Sequence, residues 1–271
     1  MSASIVTLPM YDWPEIRSET DQFYNLLRES LADRGFSPPE RLDRQVDLMR
    51  LWSSPDLLLA QTCGLPLVTR LKERVSVVGT PSYDIDCSFG QYFSVLVVHR
   101  DSDIEGVSDL VGARFACNDI GSQSGYAAPL FHLLQQVPQV PASLKRQITG
   151  SHRAALQAVA RGEANVAAID AVTWAHARRY EAATGQLRVL GRTPSTPGLP
   201  FITAKRSERE VHRLYLAVVD AMAALNEPVR DALLLLGFSQ TRLRDYRVIK
   251  RRYTDLTERL EFTDETDKVT E

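Results

Sequence analysis

The sequence predicts an α/β protein, and three observations predict it. From Ile5 to about Ile202, short β-branched runs alternate with amphipathic helical stretches, the rhythm of mainly parallel sheets with helical crossovers. The 271 residues are 44% hydrophobic and 24% charged, which excludes disordered, collagenous and coiled-coil classes and leaves a chain able to bury a core. The segment GRTPSTPGLP (191–200), with three prolines and two glycines, interrupts the alternation and reads as a crossing between lobes.

In chain order, Ile5-Val6-Thr7-Leu8 is the first strand. Asp12 is the expected cap of a helix with Pro14 in its first turn and Ile16, Phe23, Leu26, Leu27 and Leu31 inward, closed by Gly35. Strands follow at 57–59, 75–78 and 92–98, each ending beside Gly, Pro, Thr or Tyr, where open α/β sheets hold ligands. A second series runs through strands 114–117, 147–149, 166–169 and 187–190, each with a helix before or after it. Beyond the crossing and a strand at 201–203 the pattern predicts helices only, over 207–225, 228–236 and 241 to about 260. The tail EFTDETDKVTE lacks an apolar face and is expected to be loose.

Composition narrows the function. Thirty-two Lys plus Arg against 34 Asp plus Glu leave a formal charge of -2, so nothing draws the chain to nucleic acid as a whole and any anion must be held locally. The basic run RLRDYRVIKRRY (242–253) is followed by acids and reads as a solvated helix face. The longest apolar runs, 94–98 and 232–236, fall far short of the roughly 18 residues that span a bilayer, so no membrane insertion is expected. The first 15 residues show neither a basic start nor an apolar stretch of about 7 residues with a cleavage site. The expectation is cytoplasmic for the sequence as written, and periplasmic if an export signal is missing from it. Cys63, Cys87 and Cys117 lack the close pairing of a zinc site and are expected to be reduced, with a Cys63–Cys87 bridge left open.

The most informative stretch is Asn118-Asp119-Ile120-Gly121-Ser122-Gln123-Ser124-Gly125-Tyr126, which leaves a strand and opens a helix. Unpaired N–H groups, the positive end of the helix dipole and two hydroxyls would make an anion site there, with Gly125 letting an oxyanion approach the backbone; simple N-capping by Ser122 is the alternative. A second helix start, Thr149-Gly150-Ser151-His152, offers an imidazole that would donate to the same anion or stand exposed in a first turn. Asp170, at a third strand end, is either a helix cap or an acceptor for a protonated P–OH. In the first series Tyr11, Gln61, Thr62 and Tyr83 or Tyr92 occupy the matching strand ends. No GxGxxG, GxxxxGK[ST], HExxH, GxSxG or CxxC occurs, so no cofactor, metal site or catalytic residue is assigned.

Six segments carry a resemblance: PDLLLAQTCGLPLVTRL (55–71), VVGTPSYD (77–84), YFSVLVVHRD (92–101), NDIGSQSGY (118–126), GSHRAALQAVARGEANVAAIDAVTW (150–174) and LGRTPSTPGLPFIT (190–203). In content and order they resemble the phosphate, phosphite and phosphonate binding proteins of ABC transporters, the PhnD-like group. The resemblance implies a type II periplasmic-binding fold: two α/β lobes, 1–98 with 199–271 and 99–198, around a ligand cleft. It implies capture of a small phosphorus oxyanion for uptake or sensing, with an ABC permease or a signalling protein as partner and no covalent chemistry. By it the serine motif falls on Ser122, Ser124, Gly125 and Tyr126, with Gln123 inside the loop, the histidine on His152 after Ser151, the acid on Asp170, and the opposing contacts on Tyr11, Gln61, Thr62 and Tyr92. The rival is a cytosolic enzyme on the same two-lobed fold, of the menaquinone- or pyrimidine-pathway kind, using His152 with Asp170 or Cys63.

Overall fold

The computed structural model describes residues 4–44 and 47–266, with side chains to residue 260; the expected loose tail lies outside the described residues from 267 onward, and residues 261–266 continue a helix instead. The strands in chain order are β1 (Ile5–Thr7), β2 (Leu57–Gln61), β3 (Val75–Tyr83), β4 (Gln91–Tyr92), β5 (Ser94–His99), β6 (Arg114–Cys117), β7 (Lys145–Ile148), β8 (Val166–Asp170), β9 (Leu187–Arg192), β10 (Thr196–Pro197), β11 (Phe201–Ala204) and β12 (Leu235–Ser239). The chain forms two compact units, Met1–Gln91 with Pro197–Arg247, and Tyr92–Thr196 with Val248–Glu271.

The first unit holds a sheet of order β1-β2-β11-β3-β12. Only β1 and β2 are parallel; β11 runs antiparallel to β2 and β3, and β12 antiparallel to β3. Helix Arg17–Asp33 buries Phe23, Tyr24, Leu27 and Leu31 and packs on helix Glu208–Ala223, an apolar stripe against an apolar stripe. Gly35, with φ of 76°, ends the first of these helices as expected. Asp12 does not cap it. Its carboxylate takes the Arg44 guanidinium at 2.6 Å, and Arg44 also reaches Asp21 at 2.7 Å.

The helices-only expectation beyond residue 204 fails at Leu235. Leu234 takes φ of 56°, the chain reverses, and Leu235–Ser239 joins the sheet edge beside β3. Gly79 makes room for it, since a Cβ there would lie 2.5 Å from the Phe238 ring. A short apolar run such as Leu233–Leu236 reads equally as helix or strand, and only the long-range partner decides.

The second unit holds a sheet of order β7-β6-β8-β5-β9, with β6 parallel to both neighbours and β5 antiparallel to β8 and β9. Its core gathers Leu96, Phe115, Leu130, Leu133, Val166 and, from the last helix, Leu256. This grouping differs from the expected lobes 1–98 with 199–271 and 99–198. Residues 92–98 go with the second unit because β5 pairs there, and 248–266 go with it because Leu256 is buried in its core and Arg252 lies 5.7 Å over the Phe131 ring. None of Cys63, Cys87 and Cys117 is joined in a disulfide. Among the described residues no helix is long and apolar enough to cross a membrane.

Candidate ligand-binding site

Because β6, β7 and β8 are parallel and β5 is antiparallel to them, the carboxyl ends of three strands and the amino end of β5 share one edge of the second sheet. Three helices start from that edge, and each start is capped. Ser122 Oγ accepts the Gly125 N–H at 3.0 Å, Ser151 Oγ accepts the Ala154 N–H at 3.0 Å, and Asp170 Oδ1 accepts the Val172 and Thr173 N–H groups at 2.8 and 3.0 Å. Capping satisfies part of each first turn; the remaining first-turn N–H groups have no acceptor within their helix, and the helix dipoles add positive potential at the same edge. Ser122, Gln123, Ser124 and Asp170 are all buried there.

Ser124 and His152 form the centre of this edge. Ser124 Oγ lies 2.9 Å from His152 Nε2, and His152 Nδ1 lies 3.1 Å from the Ala168 carbonyl oxygen. A carbonyl only accepts, so the ring proton of the neutral imidazole sits on Nδ1, Nε2 is bare, and the Ser124 hydroxyl donates to it. Burial pushes the His152 pKa down to about 4, with the Ala168 carbonyl opposing part of the fall. At that pKa His152 is neutral at pH 7, with its one ring N–H directed at the Ala168 carbonyl. Ser94 Oγ donates to the Ser124 carbonyl at 2.8 Å and ties β5 to the same loop. Gly125 has a second reason beyond close approach of an oxyanion: a Cβ on it would fall 1.8 Å from Asn118 Oδ1 and 3.0 Å from His152 Cε1.

A phosphonate-type family model, described as the periplasmic substrate-binding protein of a phosphonate ABC transporter, matches residues 45–246. The chain belongs to that family. The phosphonates-binding periplasmic protein of Escherichia coli (strain K12) is 27% identical over 134 residues, which cover 46% of this chain and 38% of the E. coli protein, so the match spans well under half of that relative's length. The family fold is shared with two solved structures. The binding-protein component of a phosphonate ABC transporter from Pseudomonas aeruginosa superposes with a TM-score of 0.75 at 15% identity, covering 96% of this chain and 88% of that one. PhnD1 from Prochlorococcus marinus in complex with methylphosphonate gives 0.72 at 18% identity, covering 94% and 98%. The type II periplasmic-binding fold is thereby shown, with mixed sheets flanked by helices in each unit.

Within this family member the expected residues fall into two groups. Ser122, Gln123, Ser124, Gly125, Ser151, His152 and Asp170 meet at the edge of the second sheet. Tyr126 does not join them: its ring packs on the second unit's core with the Arg146 guanidinium 5.8 Å over it, and burial pushes its pKa up. In the first unit Gln61 Nε2 donates to Tyr83 Oη at 3.0 Å and to the Leu199 carbonyl at 3.3 Å, while the Tyr11 ring meets Tyr83 edge-on at 5.1 Å. Thr62 follows Gln61, its N–H bonded to the Pro200 carbonyl at 3.0 Å and its buried hydroxyl without a partner. Tyr83 is the side chain that both Tyr11 and Gln61 touch, whereas Tyr92, the residue the resemblance implies, is buried in β4 and lies in the second unit. Sequence reasoning missed Asn118 and Ser94, whose roles rest on contacts across strands; the one local signal was Asn118's place directly after β6.

Proposed function

We propose that the chain is a solute-binding protein that captures a small phosphorus oxyanion, a phosphonate, phosphite or phosphate, and presents it to an ABC permease on the periplasmic side of a membrane. The observation that carries this reading is the Ser124–His152 pair set among three helix starts at one sheet edge, a place rich in N–H donors and poor in side-chain charge. An anion gains there from helix dipoles and charge-assisted hydrogen bonds without a cation beside it.

A Ser–His pair at 2.9 Å is also the geometry of a nucleophile and its base, so the enzyme reading has one specific observation behind it. Two others weigh against it. The third member is a carbonyl rather than a carboxylate, and a histidine with a pKa near 4 is too weak a base to serve near pH 7.

Calorimetry and thermal unfolding with methylphosphonate, 2-aminoethylphosphonate, phosphite, phosphate and sulfate test the reading. A cognate ligand at 100 times its Kd should stabilise the fold by about 2.7 kcal/mol. Ser124→Ala should weaken that ligand roughly 10- to 150-fold, the worth of one hydrogen bond to a charged group. Absence of stabilisation by every phosphorus oxyanion would overturn it.

A further inference from the structure

We propose that the Ser124–His152 pair makes ligand binding proton-coupled, so that the site selects an oxyanion that brings one proton over one that cannot carry it. The inference rests on the oxyanion reading above and gives His152 the role of a specificity-determining residue.

The argument is a count of protons. With Nδ1–H donated to Ala168 and the Ser124 hydroxyl donated to Nε2, Ser124 Oγ offers only lone pairs to whatever approaches it. A fully ionised oxygen would meet those lone pairs. Turning the Ser124 hydroxyl toward the ligand does not help, because bare Nε2 and bare Oγ would then face each other at 2.9 Å. Two arrangements resolve the conflict. In one, the ligand keeps a P–OH and donates it to Ser124 Oγ. In the other, His152 takes a proton from solvent, donates Nε2–H to Ser124 Oγ, and frees the Ser124 hydroxyl to donate to the oxyanion. Each contains one proton more than the resting pair plus a fully ionised ligand, and no heavy-atom bond changes.

The surroundings favour the first arrangement. Both ring nitrogens of His152 are in use, one toward Ser124 and one toward Ala168. Of the charged groups on the elements packed around it, Asp119 accepts the Gly121 N–H, Asp170 accepts the Val172 and Thr173 N–H groups, and Arg153 on its own helix pairs with Glu181. The neighbouring helix Ala171–Tyr180 carries Arg178, Arg179 and His176, the last buried and held neutral with Arg179 adding to the effect. Protonating the buried imidazole is thus the costlier route, and a singly protonated phosphonate or phosphate is the natural occupant. Sulfate, which carries no proton near neutrality, is left with the costly route alone.

Calorimetry with methylphosphonate, run across its second pKa in two buffers of different ionisation enthalpy, decides the matter. That pKa is on the order of 6–7 by analogy with phosphorylated side chains. Proton uptake on binding should rise from near none to near one as pH passes it, and affinity should then fall about tenfold per pH unit. In His152→Ala the Ser124 hydroxyl is free to donate to a dianion, so uptake and slope should vanish and discrimination against sulfate should shrink; His176→Gln, on the neighbouring helix, should keep all three. Wild-type binding of the dianion without proton uptake overturns the proposal with no variant needed, as does a slope lost in Asp170→Asn but kept in His152→Ala. Failure to bind any phosphorus oxyanion at any pH would instead overturn the function reading on which this one stands.

Discussion

At Gly125 a single hydrogen atom decides the geometry of the site. Its φ is not in the left-handed region, so what it supplies is space, and the space is taken by Asn118 Oδ1 and the His152 ring. Asn118 cannot simply retreat, because its carbonyl accepts the Gly150 N–H at 3.0 Å and fixes it next to the second helix start. Gly125→Ala should therefore cost about 1–3 kcal/mol by overpacking, and the double variant with Asn118→Ala should recover most of it. Urea unfolding of the two variants checks this, and a Gly125→Ala protein as stable as wild type would show that the neighbours yield freely. The sequence exposed the Ser122–Gly125 loop because cap-forming residues and glycine at a helix start are a local pattern. It hid the partner of Gly125 and the neutrality of His152, since both depend on residues 7 to 27 positions away that burial brings together.

Among the elements, what serves the site is the helix start, and Asp170 shows how a cap and a ligand contact can be told apart. Its Oδ1 accepts two first-turn N–H groups, the cap that the residue type alone suggested. Asp170→Ala should lose about 1 kcal/mol of stability, whereas Asn caps about as well and should lose little. Measured side by side by chemical denaturation and ligand titration, an Asp170→Asn protein that keeps its stability but changes its affinity would show that the carboxylate charge acts on the ligand. Equal losses in both variants would count against the cap. The βα units around this edge were legible because each strand and helix carries its own periodicity. The strand β12 was not, since its pairing with β3 spans more than 150 residues, and the Asp12 cap was not, since Arg44 competes for the same carboxylate.

At the scale of the whole molecule, the Pro- and Gly-rich 191–200 segment marks a break by its own composition, whereas the packing of the last helix depends on distant partners such as Phe131 and carries no local signal. The molecule's response to pH follows from two buried histidines, His152 at the start of helix His152–Ala160 and His176 within helix Ala171–Tyr180. His152 and His176 both have pKa values held down to about 4 by burial, with Arg179 adding to the effect at His176. Unfolded, each returns to its ordinary value near 6.5. Above that pH both states are neutral and the two groups contribute nothing to the pH dependence. As pH falls from about 6.5 toward 4 the unfolded chain takes up protons that the folded one refuses, and stability drops; below about 4 the loss is complete. The full shift corresponds to at most about 3 kcal/mol for each group. Exposed carboxylates with lowered pKa values, such as Glu210, lose their contribution only in a more acidic window, through their folded values below 4.5. Unfolding free energies measured in urea between pH 7.5 and 4.5 should therefore fall steadily in the wild type and less steeply in His176→Gln and in His152→Gln; slopes identical to wild type in both variants would move the acid sensitivity to other groups.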